Sequence, residues 1–188
     1  MLKIPMLALG LGALTMTAPA QAFAEDRTLG QVRQMMKEAE AHGLVRRAKK
    51  TKPVDARPAR PGEVIVTVLA GEGKETRSRP AVKGDWVVRN RCEATGNEEY
   101  LVAADKFAER YEGTAGTAAG GWQEYRPLGK VMRFFVLKPE HGEFAFTAPW
   151  GERMIAKPGD AIVQDPKDPN DTYRVAAAAF ACTYEILD

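Results

Sequence analysis

Few residues in this chain have types suited to covalent chemistry. Ser78 is its single serine, and His42 and His141 are its two histidines. A nucleophilic Ser–His arrangement needs Ser78 to meet one of them. His42, however, ends a helix-like stretch beyond a basic segment, and His141 sits in a Glu-His-Gly turn. A Cys–His site would draw on Cys92 or Cys182, whose thiols a disulfide would consume. Two separated histidines without a ligand pair at helical or finger spacing give no zinc site, and no cofactor is implied. The oxygen-rich run Asp165, Asp168, Asn170, Asp171 invites a calcium reading. It lacks the glycine and distal glutamate of an EF-hand loop and has Lys167 inside it, so a solvated turn is expected. The remaining idea is a carboxylate pair. Asp85 and Asp160 each follow a glycine at equivalent places, and two carboxylates sharing a proton would make a general acid/base pair. Against it stands the simpler role of an Asp that accepts backbone N–H bonds in a turn after Gly.

Those equivalent places belong to a repeat that must position everything else. Gly84-Asp85 and Gly159-Asp160 each open a strand-like run. Tyr100 and Phe107, like Tyr173 and Phe180, sit seven apart, and each Phe precedes a Tyr-Glu pair, Tyr111-Glu112 or Tyr184-Glu185. Strand-like runs cover Val64–Leu69, Asp85–Arg89, Tyr100–Val102, Val131–Leu137, Ala161–Val163 and Tyr173–Val175. Short helical turns follow at Ala104–Tyr111 and Ala177–Tyr184, with Phe107 and Tyr111 on one face. Each unit is small to be secure alone, so the two would share a core by face-to-face packing or strand exchange. The expected fold is α+β, mainly β: two duplicated small sheets or half-barrels, each closed by a short helix and related by a pseudo-twofold. A single barrel or sandwich made from both copies is the near alternative.

The Gly-Asp opening, the later Tyr-x-Val and the Phe-x-x-x-Tyr-Glu close resemble the PGDYG family of small bacterial and phage-associated proteins. Pro158-Gly159-Asp160 matches its first three letters, with Ala161 in place of Tyr. In the first copy Lys83 replaces Pro and Trp86 replaces Tyr. The resemblance spans Pro80 to Glu112 and Met154 to Glu185. It implies the fold unit and no activity.

The ends and the charge complete the organisation. Lys3, the apolar run Ile4–Met16 and the small-residue triplet Ala22-Phe23-Ala24 read as a secretory leader over 1–24, cleaved before Glu25. The mature protein is then expected in the periplasm or outside the cell, without a membrane span. Residues 25–44 read as an amphipathic helix with Leu29, Val32, Met36 and Ala39 on one stripe, capped by Asp26 and docked on its own body or a partner. Residues 45–62, rich in Arg and Lys and carrying Pro53, Pro58 and Pro61, read as a stiff basic linker. It could touch an anionic surface or an acidic partner; nucleic acid is not expected, because no aromatics interleave its charges. The first β repeat is assigned to 63–112, a Gly/Ala-rich linker to 113–128 and the second β repeat to 129–188. Cys92 and Cys182, one in each copy, can form a disulfide in an oxidising compartment, or remain two free thiols. Most aromatics are expected in the core. Trp150, with Arg153 close by, is the candidate for a binding residue. The function expected is an exported, non-catalytic binding or assembly module of the bacterial envelope, its partner an envelope protein or polymer. A hydrolase using Asp85 and Asp160 is the alternative.

Overall fold

A computed structural model describes residues 24–117 and 120–187 of the chain. The leader expected over 1–24 falls outside them, Ala24 excepted. A short strand, β1 (Glu25–Asp26), leads to helix α1 (Leu29–Ala41). Thr28, rather than Asp26, caps this helix: its hydroxyl accepts from Gln31 N–H while the Gln31 side chain accepts from Thr28 N–H. Val32, Met36 and Ala39 are buried along the expected stripe, so the helix docks on its own body. Burying a side chain the size of Val32 or Met36 contributes about 1.5–3 kcal/mol.

The first half of the chain continues with β2 (Arg46–Lys50), β3 (Val54–Pro58), a hairpin of β4 (Val66–Leu69) and β5 (Gly73–Arg77), then β6 (Trp86–Asn90), β7 (Glu99–Val102), helix α2 (Ala104–Arg110) and β8 (Tyr111–Thr117). The second half runs through β9 (Gln123–Pro127), β10 (Val131–Val136), a hairpin of β11 (Phe144–Thr147) and β12 (Arg153–Ala156), then β13 (Ala161–Gln164), β14 (Thr172–Val175), helix α3 (Ala177–Thr183) and β15 (Tyr184–Ile186). The fold is therefore α+β and mainly β.

Two five-stranded sheets carry the body. The first has the order β7-β6-β3-β9-β8 and the second β14-β13-β10-β2-β15, and every pairing within them is antiparallel. The two segments assigned as linkers are corrected here, since each supplies strands. Residues 45–62 contain β2 and β3, and residues 113–128 contain most of β8 and all of β9. Moreover, β2 joins the second sheet while β3, next in the chain, joins the first; β9 joins the first while β10 joins the second. The chain thus changes sheets at 51–53 and again at 128–130. Charged residues such as those of β2 tolerate this because Ala48 faces the core and the arginines face outward.

The larger core lies under the second sheet and α1, built on Phe134, Leu137, Phe144, Phe146 and Ile162. The smaller lies under the first sheet, where Trp86 stacks on Phe107 with centroids 4.3 Å apart. Cys92, in the turn after β6, is bonded to Cys182 of α3, with Cα atoms 6.1 Å apart. This bond and the two crossings tie the halves together. No helix of the described residues is long and apolar enough to cross a membrane.

Candidate functional site: a tyrosine-lined cavity

A cavity of about 420 Å³ opens where the two sheets meet. Equivalent elements furnish its wall. Tyr100 comes from β7 and Tyr173 from β14; Tyr111 and Tyr184 each start the strand that follows a short helix. The hydroxyls of Tyr100 and Tyr111 are 3.1 Å apart, and those of Tyr173 and Tyr184 are 3.4 Å apart. The same local device sets both pairs. A helix of two turns carries Phe107 or Phe180 into the core and returns the chain so that the next Tyr faces the earlier one.

Lys50, the last residue of β2, reaches the first pair. Its ammonium donates to Asn90 Oδ1 at 2.6 Å, to the Tyr100 hydroxyl at 2.7 Å and to the Tyr111 hydroxyl at 3.3 Å. On the far side of Asn90, its amide donates to Glu98 Oε1 at 2.5 Å, and Glu98 also accepts from the Thr95 hydroxyl. The second pair has a different neighbour: the Arg110 guanidinium lies 5.4 Å from the Tyr173 ring centroid and donates to Asp171 at 2.7 Å.

Burial and these charges pull the phenols apart. Burial, reinforced by Tyr111, pushes Tyr100 well above the ordinary phenol range, and burial with Tyr173 beside it does the same to Tyr184. Burial also raises Tyr173. For Tyr111 burial acts upward too, but the Lys50 charge, the Tyr100 hydroxyl and Arg110 outweigh it and hold this phenol below its ordinary value. Across the cavity, burial pushes the Glu152 carboxyl up, partly offset by bonds from Trp150 and Thr76.

The residues singled out from sequence fall in different places. Trp150 is half-buried in the cavity wall, its ring 5.6 Å from that of Tyr173, whereas Arg153 is exposed, lies outside that wall and pairs with Asp26 at 2.8 Å. The expected Trp150–Arg153 patch is therefore divided between two surfaces. Asp85 accepts from Arg79 at 2.6 Å, from Val82 N–H at 2.9 Å and from Ala104 N–H. Asp160 accepts from Arg174 Nε at 2.8 Å, from Lys157 N–H at 2.9 Å and from Ala177 N–H at 3.0 Å. Each Asp thus joins the turn before its strand to the first N–H of the following helix. The glycines before them, at φ of 98° for Gly84 and 95° for Gly159, make the tight turn that aims them there. Burial acts to raise Asp85, but Arg79 and the backbone N–H groups prevail and lower it.

Other candidates are absorbed by structure. Ser78 accepts from Ile65 N–H and donates to the Arg79 carbonyl, and the His42 ring meets the Glu38 carbonyl. In the acidic turn, Asp165 faces Lys130 at 2.6 Å and Asp171 faces Arg110. Among the described residues no cluster of His, Cys, Asp and Glu is arranged to hold a metal.

Sequence reasoning marked the four tyrosines as repeated letters but assigned them to packing. The signal for a site was the equal Tyr–Tyr interval in the two halves, Tyr100 to Tyr111 and Tyr173 to Tyr184. Lys50 carried no such signal, being one cation in a basic run. Comparison of the chain with protein-family models, with curated proteins and with solved structures finds no match.

Proposed function

We propose that this chain is an exported, non-catalytic binding module of the bacterial envelope that holds a small ligand in the tyrosine-lined cavity between its two sheets. The observation that carries this reading is the convergence of four phenols, Lys50 and Trp150 on one cavity of about 420 Å³, a size and a largely apolar lining suited to a small molecule. In the same reading the chain is two tandem units of the PGDYG type with their leading strands exchanged. Support comes from the matching strand orders, from the parallel bonding of Asp85 and Asp160, and from the paired tyrosines. The leader-like N-terminus and the oxidised Cys92–Cys182 pair agree with export. Contact with an anionic surface would be made by the exposed members of the basic stretch, Arg46, Arg47, Lys52 and Arg60. The hydrolase alternative gains no support, since Asp85 and Asp160 are each engaged by an arginine and two backbone N–H groups.

The test is native mass spectrometry of the mature protein after incubation with a small-molecule extract of envelopes. A retained mass is expected on the wild type and is lost from Ala103→Phe, which fills the cavity from its half-buried rim. Absence of any retained mass, or equal retention by that variant, would sink the proposal. Fusion of residues 1–24 to a reporter active only after export tests the compartment separately.

A further inference from the structure

Six cations line the cavity: Lys50, Arg79, Lys106, Arg110, Lys130 and Arg174. Five have a carboxylate in contact. Arg79 has Asp85, Lys106 and Arg110 have Asp171, Lys130 has Asp165, and Arg174 has Asp160. Lys50 is the exception among the described residues. Its three donors go to neutral oxygens, those of Asn90, Tyr100 and Tyr111, and the nearest carboxylate along that chain, Glu98, is screened behind the Asn90 amide. A part-buried ammonium without a counter-charge is costly unless one is supplied.

The site is also one-sided. Lys50 stands opposite Tyr184 in the pairing of β2 with β15. The corresponding place in the first sheet, opposite Tyr111 in the pairing of β8 with β9, is Pro127, which has no charge and no side-chain donor. The cavity therefore has one end where an ammonium lacks a carboxylate and another where the cations are paired, Arg110 with Asp171 among them, and Trp150, Met132 and Met154 offer apolar surface. Hydroxyl donors stand beside the ammonium. Tyr100 O–H donates to Asn90 Oδ1 at 3.2 Å, so the Tyr111 O–H, 3.1 Å from the Tyr100 oxygen, is the donor that can turn to a new acceptor.

We propose that the ligand class of this cavity is a small organic monoanion, a carboxylate on an apolar or aromatic body, whose oxygens take hydrogen bonds from Lys50 and an adjacent phenol. This rests on the cavity reading above and adds the charge of the ligand and its orientation, carboxylate toward β2 and body toward Trp150. The lowered ionisation range of Tyr111 reflects the same positive field. A charge-assisted bond of this kind is shorter and stronger than a neutral one.

The experiment is ligand-observed NMR with a panel of matched pairs, each an aryl or alkyl carboxylic acid and its primary amide, against the mature wild type, Lys50→Met and Lys50→Arg. Acids are expected to bind at least about tenfold tighter than their amides. Lys50→Met should weaken the acids far more than the amides and so remove that preference, and Lys50→Arg should keep most of it. Thermal unfolding of each variant, recorded alongside, reports its folding. The wild-type comparison of acid with amide needs no variant and stands even if Lys50→Met fails to fold. Equal binding of acids and amides by the wild type would overturn the anion assignment while leaving the cavity reading intact. An acid preference that survives in a folded Lys50→Met would overturn the role of Lys50. Binding of neither series would overturn this proposal and the cavity reading together.

Discussion

Replacing Asp160 by Asn should destabilise the protein far more than the same change at Asp85, although the two occupy matching turns. Both lose the charge that accepts two backbone N–H bonds and a guanidinium bond. The difference lies in the arginines. Arg174 has 1% of its side chain exposed and Asp160 4%, so the pair is closed off from water. Arg79 keeps 35% of its side chain exposed and can turn its charge outward once Asp85 is neutral. Removing one partner of a buried pair costs about 3–5 kcal/mol. Glu72, 3.3 Å from Arg174, compensates part of the orphaned charge and points to the lower end of that range. At Asp85 the loss reduces to weakened bonds to the N–H groups of Val82 and Ala104, on the order of 1–2 kcal/mol. Urea unfolding of the oxidised protein, followed by tryptophan fluorescence, measures both variants against wild type, with an unchanged slope required for the comparison. Equal losses, or a loss under about 1 kcal/mol for Asp160→Asn, would refute the argument that enclosure of the arginine decides the cost.

Other consequences follow from neighbouring contacts. Reduction of Cys92–Cys182, separated by 90 residues, should lower stability by roughly 4–5 kcal/mol in the chain-entropy description; a urea midpoint that does not move on adding reductant would contradict it. Glu63, held down to about 2 by the bidentate Arg57 contact and the Arg60 N–H, is a depressed carboxyl. Its contribution is full above the ordinary carboxyl value of 4.5 and is lost as pH falls through about 2. Glu63→Gln should therefore flatten that part of the acid limb of a stability–pH profile. Ultraviolet titration should find Tyr111 the earliest of the cavity phenols to ionise, with Tyr100 and Tyr184 the latest. Lys50→Met should move Tyr111 upward, and an unshifted titration curve would show that Lys50 does not set its field.

Much of the fold could be read from residue pattern, and the failures have a common physical cause. The stripe Leu29, Val32, Met36, Ala39 gave α1, and the β-branched or aromatic runs around Val87, Val102, Phe134, Ile162 and Tyr173 gave β6, β7, β10, β13 and β14, because burial on a regular face writes a period into the chain. Segments made into strands by their partners wrote none. Arg-Arg-Ala-Lys-Lys has one apolar residue, Ala48, and is a strand only because β10 and β15 flank it. Gly73–Arg77 has no apolar side chain and is a strand because it pairs with β4 in a hairpin. The site divides likewise. The phenols were visible as recurring letters, yet their convergence depends on how two sheets meet. Lys50 could not be told from Lys49, though the latter meets Glu185 at the surface while the former turns to the cavity.

The crossing of the chain from β2 in one sheet to β3 in the other governs when its core can close. β2, near the front of the chain, has no place to settle until β10 and β15 exist, and β15 ends at Ile186. The pairing is so long-range that its loop-closure entropy falls due before any contact repays it. A chain being synthesised would therefore hold β2 paired on one side at most until the residues of β15 had been made. The delay also leaves Lys50, opposite Tyr184 in that pairing, without a neighbouring strand on one side until β15 has formed.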